Sequence, residues 1–110
     1  MVLELVTWNI KAGFEHEFEL AFDQAQVILS EMDGYLSHQL QKCIEEPGRY
    51  ILLVHWNEIE DHTEGFQKSG KYQEYRSLIK PYYEPNATLE HYEVVFDKAC
   101  LLYTSDAADE

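Results

Sequence analysis

The residues of this chain that are best suited to chemistry follow an apolar, strand-like run and are mixed with aromatic residues. His62 could act as a base, because the ordinary pKa of histidine, about 6.5, lies close to neutral pH. Tyr72 could hydrogen-bond a substrate oxygen, and Arg76, one helical turn further on, could hold an anion. The aromatic residues around them could form the walls of a pocket; they are Trp56, Phe66 and Tyr75. We therefore expect any pocket to lie in this stretch.

Each of these polar residues also has a structural interpretation that the sequence leaves open. His62 follows Glu60 and Asp61 and could be a solvated histidine at the start of a helix. Tyr72 could pack in the core with its hydroxyl at the surface. Arg76 could form an ordinary ion pair with one of the many acids of the chain.

Three further histidines, His38, His55 and His91, fall on different predicted strands. They could approach one another on one face of a sheet and bind a metal, but no acid or cysteine completes a recognisable ligand set. A strand histidine with a satisfied hydrogen bond is the commoner case, so we predict no metal. We include His38 among the expected substrate-binding residues. The chain also lacks a glycine-rich phosphate loop and a nucleophile motif, so no cofactor is predicted.

Strands are predicted where apolar residues alternate or run continuously. The predicted strands cover residues 2–10, 35–44, 50–56 and 86–96. The run at 50–56 is apolar on both faces, which is typical of a strand at the centre of a sheet. Pro47 and Gly48 suit the middle of a type II turn, which would join the second and third strands as an antiparallel hairpin.

Helices are predicted where apolar residues recur every three or four positions. A long helix is expected from Phe14 to Met32, ended by Asp33-Gly34. A second helical region between Asp61 and Tyr83 is interrupted at Ser69-Gly70, which predicts two short helices with a glycine hinge over the sheet. The resulting order, β-α-β-β-α-β, predicts a ferredoxin-like α+β domain with a four-stranded antiparallel sheet.

The composition of the 110 residues predicts one globular domain. The net charge of −13 would repel phosphate backbones, so nucleic acid is an unfavourable partner. No segment approaches the ~20 apolar residues of a membrane helix, and the N-terminus lacks the basic region of a signal peptide. Two cysteines are too few for a disulfide scaffold. We therefore expect a cytoplasmic protein without membrane partners.

Residues 1–98 are expected to form the domain, whereas residues 99–110 do not continue its pattern. This C-terminal segment resembles the translation of a sequencing adaptor joined to a truncated reading frame. We expect a non-native or disordered tail and exclude it from fold reasoning.

Several short motifs, taken in order, resemble the antibiotic biosynthesis monooxygenase family. They are Lys11-Ala12-Gly13 before a helix, Asp33-Gly34-Tyr35 after it, Pro47-Gly48-Arg49-Tyr50 into a strand that ends at His55-Trp56, and then Phe66, Ser69 and Tyr72. The resemblance covers about residues 2–96. It implies ferredoxin-like subunits that pair through their sheets into a homodimeric α+β barrel. It also implies oxidation of electron-rich phenols or hydroquinones by dioxygen without a cofactor.

The resemblance also implies roles for individual residues. The family positions for a polar side chain, an aromatic residue and a tyrosine fall on His62, Phe66 and Tyr72, although the aromatic residue there is typically tryptophan. The haem-degrading branch of the superfamily needs a histidine where Arg76 stands and an asparagine near Val6. Haem degradation is therefore not expected.

The sequence as a whole predicts a cofactor-independent monooxygenase that oxidises a quinol-like or polyphenolic small molecule with dioxygen. His62, Tyr72 and Arg76 are the expected catalytic residues, and the expected substrate-binding residues are Trp56, Phe66, Tyr75 and His38. The alternative is a non-catalytic dimeric barrel that binds a small apolar metabolite. A pocket without polar groups would favour that alternative.

Overall fold

The computed structural model describes residues 1–99 and contains four strands and two α-helices. The elements in chain order are β1 (Val2–Asn9), α1 (Glu15–Ser30), β2 (Tyr35–Lys42), β3 (Arg49–Trp56), a π-helical turn (Asp61–Phe66), α2 (Gly70–Ile79), a 3₁₀ turn (Lys80–Tyr82) and β4 (Thr88–Tyr92). This order confirms the predicted ferredoxin-like α+β fold. The predicted tail lies almost wholly outside the described residues.

The four strands form one antiparallel sheet in the order β2-β3-β1-β4. The apolar strand β3 is central, as predicted, and pairs with β1 along its whole length from Val2↔Trp56 to Asn9↔Arg49. The turn before β3 is also as predicted, because the Arg49 N–H donates to the Glu46 carbonyl (3.0 Å) and Gly48 has a positive φ of 98°.

Both helices cover the same face of the sheet and enclose the hydrophobic core. Alternate residues of β1 and β3 point into this core, including Trp8 and Leu52, and α1 contributes Phe18 and Phe22. Trp8 packs edge-on against Phe18 with ring centroids 5.6 Å apart. The opposite, outer face of the sheet remains half-buried and without a helix.

Two details of the strands differ from the prediction. Strict alternation along the predicted strand 35–44 would put Tyr35 and His38 on opposite faces, but a β-bulge between Tyr35 and Ser37 shifts the register of β2 and puts them on the same face. The last strand is shorter than predicted and ends at Tyr92, which pairs with Leu3 close to the start of β1. Beyond Leu3, β1 has only one more residue, Val2.

Within residues 1–99, no helix is both long enough and apolar enough to span a lipid bilayer.

Candidate active site

A small cavity lies between the inner face of the sheet and α2. Helix α2 contributes four lining residues at helical spacing, Tyr72, Tyr75, Arg76 and Ile79. Strand β1 contributes Glu4, Val6 and Trp8, and the π-helical turn contributes His62 and Phe66. Tyr83 and Thr88 line the cavity from the segment before β4 and from the start of that strand. The volume of the cavity is about 110 Å³. Because an apolar cavity of about 150 Å³ holds a benzene ring, this cavity is somewhat too small to enclose a whole aromatic ring and would take the reacting edge of one.

The floor of the cavity carries a buried carboxyl group, Glu4 of β1, which is 5% exposed. Its Oε1 accepts a hydrogen bond from the indole Nε1–H of Trp56 at 2.8 Å. Its Oε2 lies 3.4 Å from Nε2 of His62. Glu4 therefore connects the central strands to the π-helical turn.

His62 is 1% exposed and lies between Glu4 and His91 of β4. Its Nδ1 is 2.8 Å from Nε2 of His91, and its ring stacks on Trp56 with centroids 5.6 Å apart. His91 is partly exposed. The interpretation of His62 as a solvated helix-start histidine is therefore wrong.

Burial shifts the pKa values of Glu4 and His62 in opposite directions. Burial raises the pKa of Glu4 to about 7, and the hydrogen bond from Trp56 opposes the rise. Burial lowers the pKa of His62 to about 4, and the nearby His91 adds to this effect. At neutral pH His62 is therefore uncharged and Glu4 is close to half-ionised. The 3.4 Å contact between His62 Nε2 and Glu4 Oε2 is therefore made by a neutral imidazole and is not an ion pair.

Tyr72 and Arg76 line the cavity side by side on α2. Burial raises the pKa of the Tyr72 phenol, with Tyr83 adding to the rise and the positive charge of Arg76 opposing it. Within residues 1–99, no carboxylate oxygen lies within 4.0 Å of the Arg76 guanidinium. The ordinary ion pair considered for Arg76 is therefore not formed in this part of the chain, and its charge faces the cavity.

Helix α2 and the π-helical turn are held by local contacts that fix the orientation of these residues. Ser69 caps α2, because its Oγ accepts the Tyr72 N–H at 3.1 Å and donates to the Phe66 carbonyl at 2.7 Å. The His62 carbonyl accepts the Gln67 N–H at 2.8 Å, five residues on, which is the hydrogen bond of a π-helix. The wide turn thus places His62 and Phe66 on the inner side.

The structure brings together most of the residues predicted for the site. His62, Phe66, Tyr72, Tyr75 and Arg76 all line the cavity. Trp56 is fully buried behind His62 and does not line the cavity, but it donates to Glu4. The residues of this predicted set thus gather between β1, the π-helical turn and α2.

His38 is not part of this cavity, contrary to the prediction. It lies on β2, which β3 separates from β1, and its ring nitrogens contact Tyr35 and Gln26. A larger depression of about 680 Å³ lies there between α1 and β2. It is open to solvent, and its Glu19 is already bonded to Tyr50 and Lys42. We therefore place the candidate site in the smaller, more enclosed cavity.

The three strand histidines do not converge. His38 and His91 lie on opposite edge strands of the inner face, whereas His55 pairs with Leu3 on the outer face. Within residues 1–99, no group of three His, Cys, Asp or Glu side chains is arranged to hold a metal ion.

Sequence reasoning missed Glu4 and the contact of His91 with His62. Alternation along β1 contained the signal for Glu4, because this acid shares a face with Val6 and Trp8, which point into the core. A charged residue on an apolar face is unusual and often functional. The contact with His91 depends on the pairing Glu4↔His91 of two strands far apart in sequence, for which the chain gives no local signal.

The fold and the cavity define the chain as a ferredoxin-like α+β domain with a buried acid and histidine facing an aromatic pocket. Residues 1–78 match the model of the family described as antibiotic biosynthesis monooxygenase. The chain belongs to this family.

Similar proteins agree with this assignment. The chain is 50% identical over 95 residues to the uncharacterized protein YczJ of Bacillus subtilis, covering 86% of this chain and all of YczJ. A Bordetella bronchiseptica protein provisionally assigned as an antibiotic biosynthesis monooxygenase is similar in structure, with 27% identity and a TM-score of 0.83, over 86% of this chain and 97% of that one. SnoaB of Streptomyces nogalater, a cofactor-independent oxygenase, has a TM-score of 0.74 at 12% identity, over 91% and 95% of the two chains. At that identity the likeness shows the fold alone.

Proposed function

We propose that the protein is a cofactor-independent monooxygenase that oxidises a quinol-like or phenolic small molecule with dioxygen. The observation that carries this proposal is the buried Glu4 and His62 facing a cavity walled by aromatic residues, with Tyr72 and Arg76 opposite. Membership of the family and the fold of SnoaB support it. The cavity volume of about 110 Å³ favours a substrate with a single ring at the reacting end.

The proposed reaction is balanced without a further reductant. A phenol with a free ring C–H reacts with one O₂ to give a quinone and one water. One oxygen atom enters the ring, and the second leaves as water with the phenolic and ring hydrogens. The four electrons that reduce O₂ come from the substrate.

The side chains around the cavity suit the steps of this reaction. Removal of the phenolic proton produces an electron-rich anion that can pass an electron to dioxygen. A buried base with a pKa close to 7 favours the removal of this proton. We assign Arg76 and Tyr72, which line the cavity, to stabilising the phenolate oxygen. Phe66 and Tyr75 provide walls for the ring.

We further propose that the enzyme acts in the cytoplasm. We also propose that two subunits pair through the outer faces of their sheets. Leu5 and Leu53 are directly paired at the middle of this face and are only half-buried in the single chain. Packing against a second copy would remove them from water, as expected for a two-fold interface.

The double variant His62→Ala, Tyr72→Phe tests whether these two cavity residues take part in the proposed oxidation. We expect oxygen uptake on a monocyclic hydroquinone to fall by about 10²-fold or more, because a link to the buried acid and a phenolate partner are both lost. The matched control is His16→Ala with Tyr92→Phe, two exposed residues outside the cavity. Full turnover in the double variant would contradict these roles, and a folded wild-type protein without uptake would favour a non-catalytic binding domain.

A further inference from the structure

The Glu4 carboxyl group is positioned to exchange a proton with a ligand in the cavity. One oxygen accepts the Trp56 N–H and the other faces His62, so the group is fixed in place. A carboxylate oxygen has two lone pairs, and each of these oxygens therefore retains one acceptor position. A substrate hydroxyl in the cavity could reach such a position without displacing either protein contact.

The carboxyl group is also connected to the protein surface. His62 contacts Glu4 through Nε2 and His91 through Nδ1, and His91 is partly exposed. The three side chains come from β1, the π-helical turn and β4. Their contacts therefore run from the cavity, past the edge of the sheet, to solvent.

We propose that Glu4 is the catalytic base of the cavity and that His62 and His91 relay its proton to solvent. This inference rests on the proposed oxygenase function. It assigns the first proton transfer to Glu4 and gives His62 and His91 positioning and relay roles.

The proton transfers balance without forming a charged imidazole. The substrate O–H bond breaks as an O–H bond forms on the Glu4 carboxylate. To reset, Glu4 passes its proton to His62 Nε2, His62 passes its Nδ1 proton to His91 Nε2, and His91 passes its Nδ1 proton to water. Both histidines stay neutral and exchange only their tautomers, and the proton that the product water later needs returns from solvent along the same contacts, which restores the starting tautomers.

This neutral relay agrees with the burial of His62. Because the pKa of His62 is about 4, a buried imidazolium would be costly at neutral pH, whereas a tautomer exchange creates no charge there. The hydrogen bond between His62 Nδ1 and His91 Nε2 can form with either pair of tautomers. Within residues 1–99, no side-chain polar atom that is fully buried lacks a hydrogen-bond partner.

The groups that surround Glu4 explain why its proton affinity suits a base. The ionisable residues lining the same cavity are His62 from the π-helical turn, Tyr72, Tyr75 and Arg76 from α2, and Tyr83 after the 3₁₀ turn; His91 faces Glu4 from β4 and Trp56 from β3. Of the described residues that line the cavity, Arg76 alone carries a permanent charge. Burial therefore sets the pKa of Glu4 at about 7. The ratio kcat/KM should rise with pH through this value as the carboxylate forms.

The first test compares variants that keep the hydrogen bonds but cannot carry the proton. Glu4→Gln is expected to lower kcat/KM for oxygen uptake by about 10²–10⁴-fold and to abolish the rise near pH 7. His91→Gln is expected to lower kcat by about tenfold with little change in KM, and added imidazole should restore it. His16→Gln, on the exposed start of α1, is the matched control and should behave as wild type. A Glu4→Gln enzyme with a wild-type pH profile would overturn the proposal.

A second test needs no substrate and no variant that might misfold. In wild-type protein, ¹⁵N NMR of the histidine rings is expected to show His62 and His91 exchanging tautomers together as Glu4 ionises near pH 7. If His62 keeps one tautomer over this range, the relay is contradicted even when the oxygenase is active. If the tautomers exchange but no phenol supports oxygen uptake, the oxygenase function fails and Glu4 is no longer its base.

Discussion

At the scale of single residues, the Glu4 side chain is buried and also lines a cavity. Burial favours the protonated acid, so the folded protein binds a proton here that the unfolded chain has already released above about pH 4.5. The contribution of Glu4 to stability therefore falls as pH rises from about 4.5 to about 7. His62 acts in the opposite sense, since its lowered pKa makes stability rise with pH between about 4 and about 6.5.

Glu4→Gln should reveal this cost of the buried acid. The amide keeps the shape and the acceptor for Trp56 but cannot ionise. We expect the free energy of unfolding of the variant, relative to wild type, to increase by about 2–3 kcal/mol between pH 5 and pH 8. Urea unfolding of both proteins at both pH values measures this difference in the free energy of unfolding. The exposed Glu90→Gln on β4 is the control, and a Glu4→Gln difference that does not change with pH would contradict the assigned burial effect.

At the scale of elements, the π-helical turn makes a close contact with Gly34, the residue directly before β2. Gly34 has a positive φ of 81°, and a Cβ at this position would overlap the Asp61 carboxylate. Asp61 directly precedes His62 and accepts the Glu58 N–H at 2.9 Å. Displacing this carboxylate would break that hydrogen bond, which lies next to His62.

Two glycine variants separate this contact from backbone strain. Gly13 has a similar positive φ of 87° with nothing within 4 Å of an added Cβ. Gly13→Ala should cost about 1–2 kcal/mol of stability through its backbone alone, and oxygen uptake should be unchanged. Gly34→Ala should cost more and also lower oxygen uptake. Equal stability losses and equal activities, measured by urea unfolding and oxygen uptake, would show that the Asp61 contact does not position the site.

The same elements show what the sequence can predict. The spacing of Tyr72, Tyr75 and Ile79 placed one face of α2 over the sheet, because this signal is local to the helix. The bulge at Tyr35 and the meeting of Glu4 with Trp56 depend on strand register, which forms between distant segments. Local periodicity therefore predicts the fold and the α2 side of the site, but not the contacts of its acid.

At the scale of the whole molecule, the outer face of the sheet is the surface that the fold leaves uncovered. The chain carries a net charge of −13, so association must overcome repulsion between two like-charged copies. Apolar burial around Leu5 and Leu53 is the available driving force.

Replacing Leu53 by lysine should therefore dissociate the proposed dimer. We expect light scattering to give the mass of two chains for wild type and of one chain for Leu53→Lys, because an unpaired charge at the interface centre is costly. Leu20→Lys, at a 57% exposed position on α1, should remain dimeric. A wild-type protein with the mass of one chain at all concentrations would refute this interface.

The most direct test of the central claim is oxygen uptake by purified wild-type protein without added metal or cofactor, measured on monocyclic and polycyclic quinols in parallel. We expect uptake that scales with enzyme, survives a chelator, and is faster for monocyclic substrates because the cavity measures about 110 Å³. Uptake should rise with pH through about 7, the pKa of Glu4. A folded protein that consumes no oxygen with any of these substrates would contradict the proposed oxygenase function.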